Sequence, residues 1–337
     1  GMMATSNDRF YVGVRETVIA GAQEKEALVQ RLRQLLEVRN VSVLVGNGAS
    51  LPFGAPVISD VRALVDELKA DPLDDTKAMT SGLELLEYLL ESDEDDFTLT
   101  VEELLGVLSN LEAGMELLPS GTVCTGGGEP FTDAEVCALG CLLKKWLYGK
   151  CSAISGNRNH GDLRFHRELF RRLLLRPQGL PRVRVFTTNY DLLIEQALDS
   201  LGVTYFDGFA GTVRRTLRTE SYKYDLYFPG EMTEGRVSRV DRVVQLMKLH
   251  GSINWRRAED QGGLGVVMDW ACPPDDEFGD VMVYPSPLKV TEMNGYPYSE
   301  MFRLFSSHIN QPQSVLFTIG YSFSDDHINR LIYQALS

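Results

Sequence analysis

The sequence predicts an α/β protein: a Rossmann-like doubly wound parallel sheet with a helical insertion and a smaller β-rich segment. Apolar runs at 41–45, 183–188 and 314–319 each end in a polar loop and pass directly into a helical pattern. That is the repeating unit of a parallel sheet whose ligands sit at the carboxyl ends of its strands. Residues 71–180 read as helices without β-type alternation, whereas 203–290 alternates β-branched and aromatic residues with Gly and Pro breaks.

The 337 residues, 44% hydrophobic, suffice for one large domain carrying an insertion. A net charge of −14 argues against non-specific binding to nucleic acid or anionic membranes. Cys124, Cys137, Cys141, Cys151 and Cys272 include no CxxC pair, and no apolar leader precedes them. The cytoplasm is therefore the expected compartment. No run approaches the about 18 apolar residues of a membrane span. Gly1 before Met2 reads as an expression remnant.

Residues 1–40 form a helical lead-in, in which Leu28, Leu32, Leu35 and Leu36 share one face of a helix over 24–39. A strand at 41–45 enters the loop Gly46-Asn47-Gly48-Ala49-Ser50, with Gly54 beyond, and the helix VRALVDELKA follows, capped by Ser59 or Asp60. The insertion takes 71–180, including LRFHRELFRRLLLR. The strand VRVFTT then runs into Asn189-Tyr190-Asp191 and the helix DLLIEQALDSL, and 203–290 supplies short strands from VTYFDGF to VMVYP. The strand SVLFTIG and the helix SDDHINRLIYQAL close the chain. The sheet domain is thus discontinuous, 41–70 and 181–337.

Four motifs lie at strand ends. In the first loop, Gly46 and Gly48 would let backbone amides approach a pyrophosphate, though a glycine pair after a strand is also a plain tight turn. A dinucleotide fingerprint would need a third glycine where Leu51 stands, and the acids near the expected ribose position, Asp66 and Glu67, lie in a helical pattern. FTTNYDLLIE clusters polar side chains where an apolar strand ends. Asn189 there serves a ligand or a turn, and Asp191 a ligand or a helix cap. In LMKLHGSINW, His250 is either a base at a strand end or a structural histidine. In FTIGYSFSDDHINRLI, Gly320, Ser322 and Ser324 offer a close-approach loop, and Ser324, Asp325 and Asp326 are all good helix caps.

His160, His166, His308 and His327 show no metal-ligand spacing, so no metal is expected. The run Glu91–Asp96 reads as a solvated loop. Arg164, Arg167 and Arg171 read as a charged outer helix face first and a contact surface second.

Taken in order, the four motifs resemble the Sir2 family, and most its bacterial SIR2-like NADase branch from antiphage defence systems. Gly46, Gly48, Ser50, Gly54 and Pro56 match the loop pattern GAGxSxxxGxP, and Thr187 to Glu195 match TTNYDxxxE. Leu249 to Gly251 match LHG, and Gly320 to Ile328 the late GxS with its helix. The resemblance implies NAD+ as substrate, cleaved to nicotinamide and ADP-ribose. Asn189 would contact ribose or water, His250 would bond the ribose hydroxyls or act as base, and Asp191 would support the ring side. The loop Gly46, Asn47, Gly48, Ala49, Ser50, Gly54 and Pro56, with Thr188, Gly320, Tyr321 and Ser322, would hold the remainder of the dinucleotide. It further implies a homo-oligomer and an activating or inhibiting partner such as an ATPase.

Two departures separate the chain from deacylating relatives. Val57, Ile58 and Ser59 stand where those enzymes carry Asp-Phe-Arg, and Cys272 alone stands where they carry a four-cysteine zinc module, so no zinc is expected. NAD-dependent deacylation and a non-catalytic NAD or ADP-ribose sensor are the rival functions. The family fold has a further strand after the helix ending at Leu336, so a truncated chain or a following domain is expected.

Overall fold

The computed structural model describes residues 9–12, 15–18, 21–56, 61–70, 77–91, 100–116, 132–156, 163–177, 179–233, 236–258, 265–268 and 298–337. A hairpin of β1 (Arg9–Val12) and β2 (Arg15–Val18) precedes helix α1 (Ala22–Leu36). The sequence predicts the helix alone, because four-residue strands are too short for alternation to register. Strand β3 (Asn40–Val45) is followed by two short 3-10 turns, Asn47–Ala49 and Leu51–Phe53. Then come α2 (Val61–Ala70), α3 (Lys77–Glu91), α4 (Val101–Glu116), α5 (Asp133–Gly156) and α6 (Arg164–Leu173).

The chain continues through β4 (Arg184–Thr187), α7 (Leu193–Ser200), β5 (Thr204–Phe206), β6 (Phe209–Ala210) and β7 (Arg215–Leu217). Strands β8 (Tyr227–Thr233) and β9 (Arg236–Arg239) pair as a hairpin before β10 (Val243–Lys248), β11 (Trp255–Ala258) and β12 (Gly265–Met268). Helix α8 (Tyr298–Ile309), β13 (Ser314–Ile319) and α9 (Asp326–Leu336) complete it.

Five strands form one parallel sheet in the order β13-β3-β4-β10-β5, which makes the fold Rossmann-like. The three apolar runs of the sequence are its β3, β4 and β13. Its other two strands, β5 and β10, come from the β-rich segment, whose remaining β6, β7, β11 and β12 form an antiparallel sheet. Register places Ile319, Val45, Thr187 and Lys248 in one row, so the loops that follow them emerge side by side.

Each face of the parallel sheet carries an apolar core. Val41, Val43, Val185 and Leu246 pack against α6 and α7, while Leu44, Phe186 and Met247 pack against α8, α9 and the antiparallel sheet. Each such side chain contributes about 1.5–3 kcal/mol of transfer free energy. A separate core joins α2 to α5 and reaches Tyr190 and Ile253 beside the sheet. Helix α6, grouped by its sequence with the insertion, instead covers the sheet through Phe170 and Leu173, and α2 packs with the insertion. The expected cap at Ser59 or Asp60, Cys124, Cys272, Val57 to Ser59, residues 92–96 of the acidic run and the strand VMVYP lie outside the described residues.

Candidate functional site

The carboxyl ends of β13, β3, β4 and β10 surround a cavity of about 410 Å³, within the range of ligand pockets. The β3 loop contributes Asn47, Gly48 and Pro56, and the β4 loop contributes Thr188, Asn189 and Asp191. His250 enters after β10, and Gly320, Tyr321 and Ser322 after β13. One wall comes from the helical layer, through Thr100, Leu147 and Cys151. Nothing in the sequence linked those three residues to the four motifs.

Gly46, Ala49, Ser50 and Gly54 stand outside the lining. The glycines of the β3 loop serve its contact with the β13 loop. The amides of Gly46 and Gly48 donate to the carbonyls of Ile319 (2.9 Å) and Gly320 (2.8 Å), and those of Ala49 and Ser50 to carbonyls within the loop. These amides are therefore already bonded, whereas the sequence directs them at a pyrophosphate. A Cβ on Gly46 would lie 2.7 Å from the Gly320 carbonyl oxygen. Gly320 has φ +61°, and a Cβ there would lie 2.2 Å from the Ala49 nitrogen, so both conformation and space require glycine.

Beneath the cavity runs a buried polar chain. Thr187 Oγ1 donates to the Val45 carbonyl (2.9 Å) and accepts from the Asn189 amide (3.0 Å), which fixes the turn after β4. Ser50, fully buried, donates its one hydroxyl hydrogen to Asp191 Oδ2 at 2.7 Å. The Asn189 atom that meets Ser50 Oγ at 2.9 Å must then be a donor, Nδ2, which also reaches the Gly46 carbonyl at 3.2 Å. Asn189 Oδ1 is left buried without a protein partner. Asp191 Oδ1 accepts from the Leu193 amide (3.0 Å), so this carboxylate closes the turn that leads into α7 and also anchors Ser50.

A second pair stands across the cavity. His250 Nε2 lies 3.0 Å from Asp325 Oδ2, and both side chains are buried. The other oxygen, Oδ1, accepts from the amides of His327 (2.9 Å) and Ile328 (3.0 Å) at the start of α9. Burial works to raise the Asp325 carboxyl, but the hydrogen bond and charge of His250 and the Ile328 amide outweigh it and hold the group below the usual carboxylate range. A carboxylate accepts only, so His250 presents Nε2–H to it. In the neutral ring Nδ1 is then an acceptor, and it has no protein partner.

Asp325 lies within the fourth motif, where the sequence reads it as one of three possible helix caps and gives it no role toward a ligand; Lys248 is given no role at all. Lys248, at the end of β10, is 4% exposed and directs its ammonium to the carbonyls of Tyr190 (3.3 Å) and Asp191 and to Glu195 Oε1 (3.1 Å). Burial pushes the Glu195 carboxyl up, and Lys248 opposes that. Among the described residues no group of three or more His, Cys, Asp or Glu could hold a metal. No helix among them is long and apolar enough to cross a membrane.

The Asn–Ser–Asp chain and the His–Asp pair thus stand at the carboxyl edge of a Rossmann-like sheet, where open α/β sheets hold their ligands. A family comparison bears on the same strands: residues 183–337, from β4 to α9, match the model of the SIR2-like domain. Such domains use NAD+. The match includes Asn189, Asp191, His250 and Asp325 and leaves the β3 loop outside it. No curated protein matches the chain.

Proposed function

We propose that the chain is an NAD+ glycohydrolase that binds NAD+ in this cavity and cleaves it to nicotinamide and ADP-ribose. One observation supports this reading above others: Asn189 and His250, both lining the cavity of a SIR2-like fold, each keep a buried polar atom that no protein group satisfies. In native proteins such atoms are uncommon and point to a ligand or to water.

The reaction breaks the bond between ribose C1′ and the nicotinamide nitrogen. The bonding pair moves to that nitrogen and neutralises its positive charge, so the leaving group needs no acid. The ribose becomes oxocarbenium-like, water adds at C1′, and the water proton passes to a base. Asn189 Oδ1 would accept from a ribose hydroxyl or the attacking water. His250 Nδ1 would accept a hydroxyl hydrogen or the water proton, and the resulting imidazolium is held through Nε2 by Asp325. Asp191 acts one step back, keeping Ser50 and hence Asn189 in place. Gly320, Tyr321 and Ser322 face the phosphates and adenosine. Positioning and charge stabilisation then supply the rate without a metal.

On the resemblance, the protein is a cytoplasmic effector of bacterial antiphage defence that works as a homo-oligomer under a protein partner such as an ATPase. The test is NAD+ loss and nicotinamide release with purified protein, alone and with its genomic neighbours, beside Asn189→Ala and His250→Ala. Turnover that both variants abolish supports the reading. Binding of NAD+ without turnover under every condition replaces it with a sensor.

A further inference from the structure

We propose that Lys248 is a positioning residue: its buried ammonium ties the Asn189–Tyr190–Asp191 turn to the strand that carries His250, and so sets the spacing of the two side chains assigned to catalysis. The kinetic part of this inference rests on the glycohydrolase reading; the structural part does not.

An ammonium has three hydrogens, and here three acceptors meet it: the carbonyls of Tyr190 and Asp191 and Glu195 Oε1. Taking that charge out of water is costly unless its bonds are complete, and an apolar residue would fill the same space more cheaply. The particular value of a lysine lies in what it joins. Lys248 stands level with Thr187 in the β10–β4 register, and the Leu249 amide donates to the Thr187 carbonyl at 2.8 Å. Beyond Thr187, β4 gives way to the turn and β10 to Leu249 and His250, and ladder pairing stops. From there Lys248 is the first link between the two segments beyond the ladder. Ser252 Oγ (3.3 Å) and the Ile253 amide (3.1 Å) reach the same Tyr190 carbonyl from the far side of His250. His250 is therefore bracketed by groups that share one carbonyl with the turn bearing Asn189. Glu195, which also bonds the ammonium, lies in the first turn of α7 and balances the charge.

The test compares wild type with Lys248→Met/Glu195→Leu, which removes both charges together and avoids stranding a buried carboxylate. Hydrogen exchange by mass spectrometry reads peptides over 188–195 against peptides over β3 and β13, and NAD+ turnover reads kcat and KM. Exchange should rise about 10-fold or more in 188–195 with β3 and β13 unchanged, because the loss is local. The kcat should fall about 30-fold or more with KM within about threefold, because a small misplacement of reacting groups costs rate more than binding. A folded double variant with exchange and kcat both within about threefold of wild type overturns the proposal. Should that variant not fold, Lys248→Gln/Glu195→Gln, neutral and polar, is judged by the same two readouts. If wild-type protein cleaves no NAD+ under any condition, the glycohydrolase reading falls, and the exchange comparison alone decides the role of Lys248.

Discussion

His250 Nε2 and Asp325 Oδ2 lie 3.0 Å apart, although 75 residues separate them in the chain. The parallel sheet makes the meeting possible, since β10 and β13 both point their carboxyl ends at the cavity. Asp325 is held independently by two amides of α9, so the helix start positions the carboxylate and the carboxylate positions the ring. Asp325→Asn separates those duties. Asparagine caps helices as well as aspartate, so stability should stay within about 1 kcal/mol. It no longer fixes the Nε2–H tautomer or balances an imidazolium, so kcat for NAD+ cleavage should fall about 10²- to 10⁴-fold with KM little changed. Steady-state kinetics beside a urea titration check both halves.

Ser50→Ala should strike the opposite wall. It removes the hydroxyl that joins Asn189 Nδ2 to Asp191 Oδ2, so Oδ2 loses its donor and Nδ2 keeps only the Gly46 carbonyl. Leaving buried polar groups unpaired costs about 1–3 kcal/mol, read as a lower urea midpoint at constant slope. Freed from Ser50, the Asn189 amide can rotate, and turnover should drop with it. A variant with wild-type stability and kcat would show that the chain through Ser50 has no part in orienting Asn189.

The parallel strands were legible as continuous apolar runs, Val43-Leu44-Val45 buried on both faces and Val315-Leu316-Phe317 half-buried at the sheet edge. Their order in the sheet was not, since no local signal tells that β10 rather than β5 neighbours β4. The site divided in the same way. Asn189 and His250 stood out as polar residues at the ends of apolar strands. Asp325 did not, because its visible role as a helix cap fully accounts for an aspartate at that place. Lys248 was hidden more deeply: a lysine is ordinarily a surface residue, and only the turn folding over β10 makes it a buried one. The wall from Thr100, Leu147 and Cys151 needed the packing of the insertion against Tyr190 and Ile253, which periodicity does not encode.

His308 gives a pH dependence of stability. Burial first, then the nearby charges of Arg184 and Arg303, push its imidazole down to about 3. The folded value lies below the unfolded one, so between about pH 6.5 and the folded value the unfolded chain binds a proton that the native protein refuses. Stability therefore falls as pH drops through that window and is fully present above it. His308→Gln removes the titrating group. Its urea midpoint should decline less than that of wild type between pH 7 and pH 5, and parallel declines would remove His308 as a cause.

Gly320→Ala tests whether the glycines serve loop contact. Gly320 holds φ +61°, and an added Cβ would meet the backbone nitrogen of Ala49 at 2.2 Å. Backbone has no flexible end that can swing aside, so the β13 loop must lift from the β3 loop. The lift breaks the Gly48 amide bond to the Gly320 carbonyl and pulls Tyr321 and Ser322 away from the cavity. Left-handed backbone costs a non-glycine residue about 1–2 kcal/mol, and the lost contact adds to that. Thermal melting should show the variant several degrees less stable, and calorimetry should show weaker NAD+ binding. Gly54→Ala is the control. Gly54 also has positive φ, but its nearest neighbour to an added Cβ is Ile154 Cγ2 at 3.7 Å, an ordinary contact. It should therefore lose the backbone term alone and bind NAD+ as wild type does. Equal loss of binding in both variants would mean that strain anywhere in the loop, rather than contact between the two strand ends, governs the pocket.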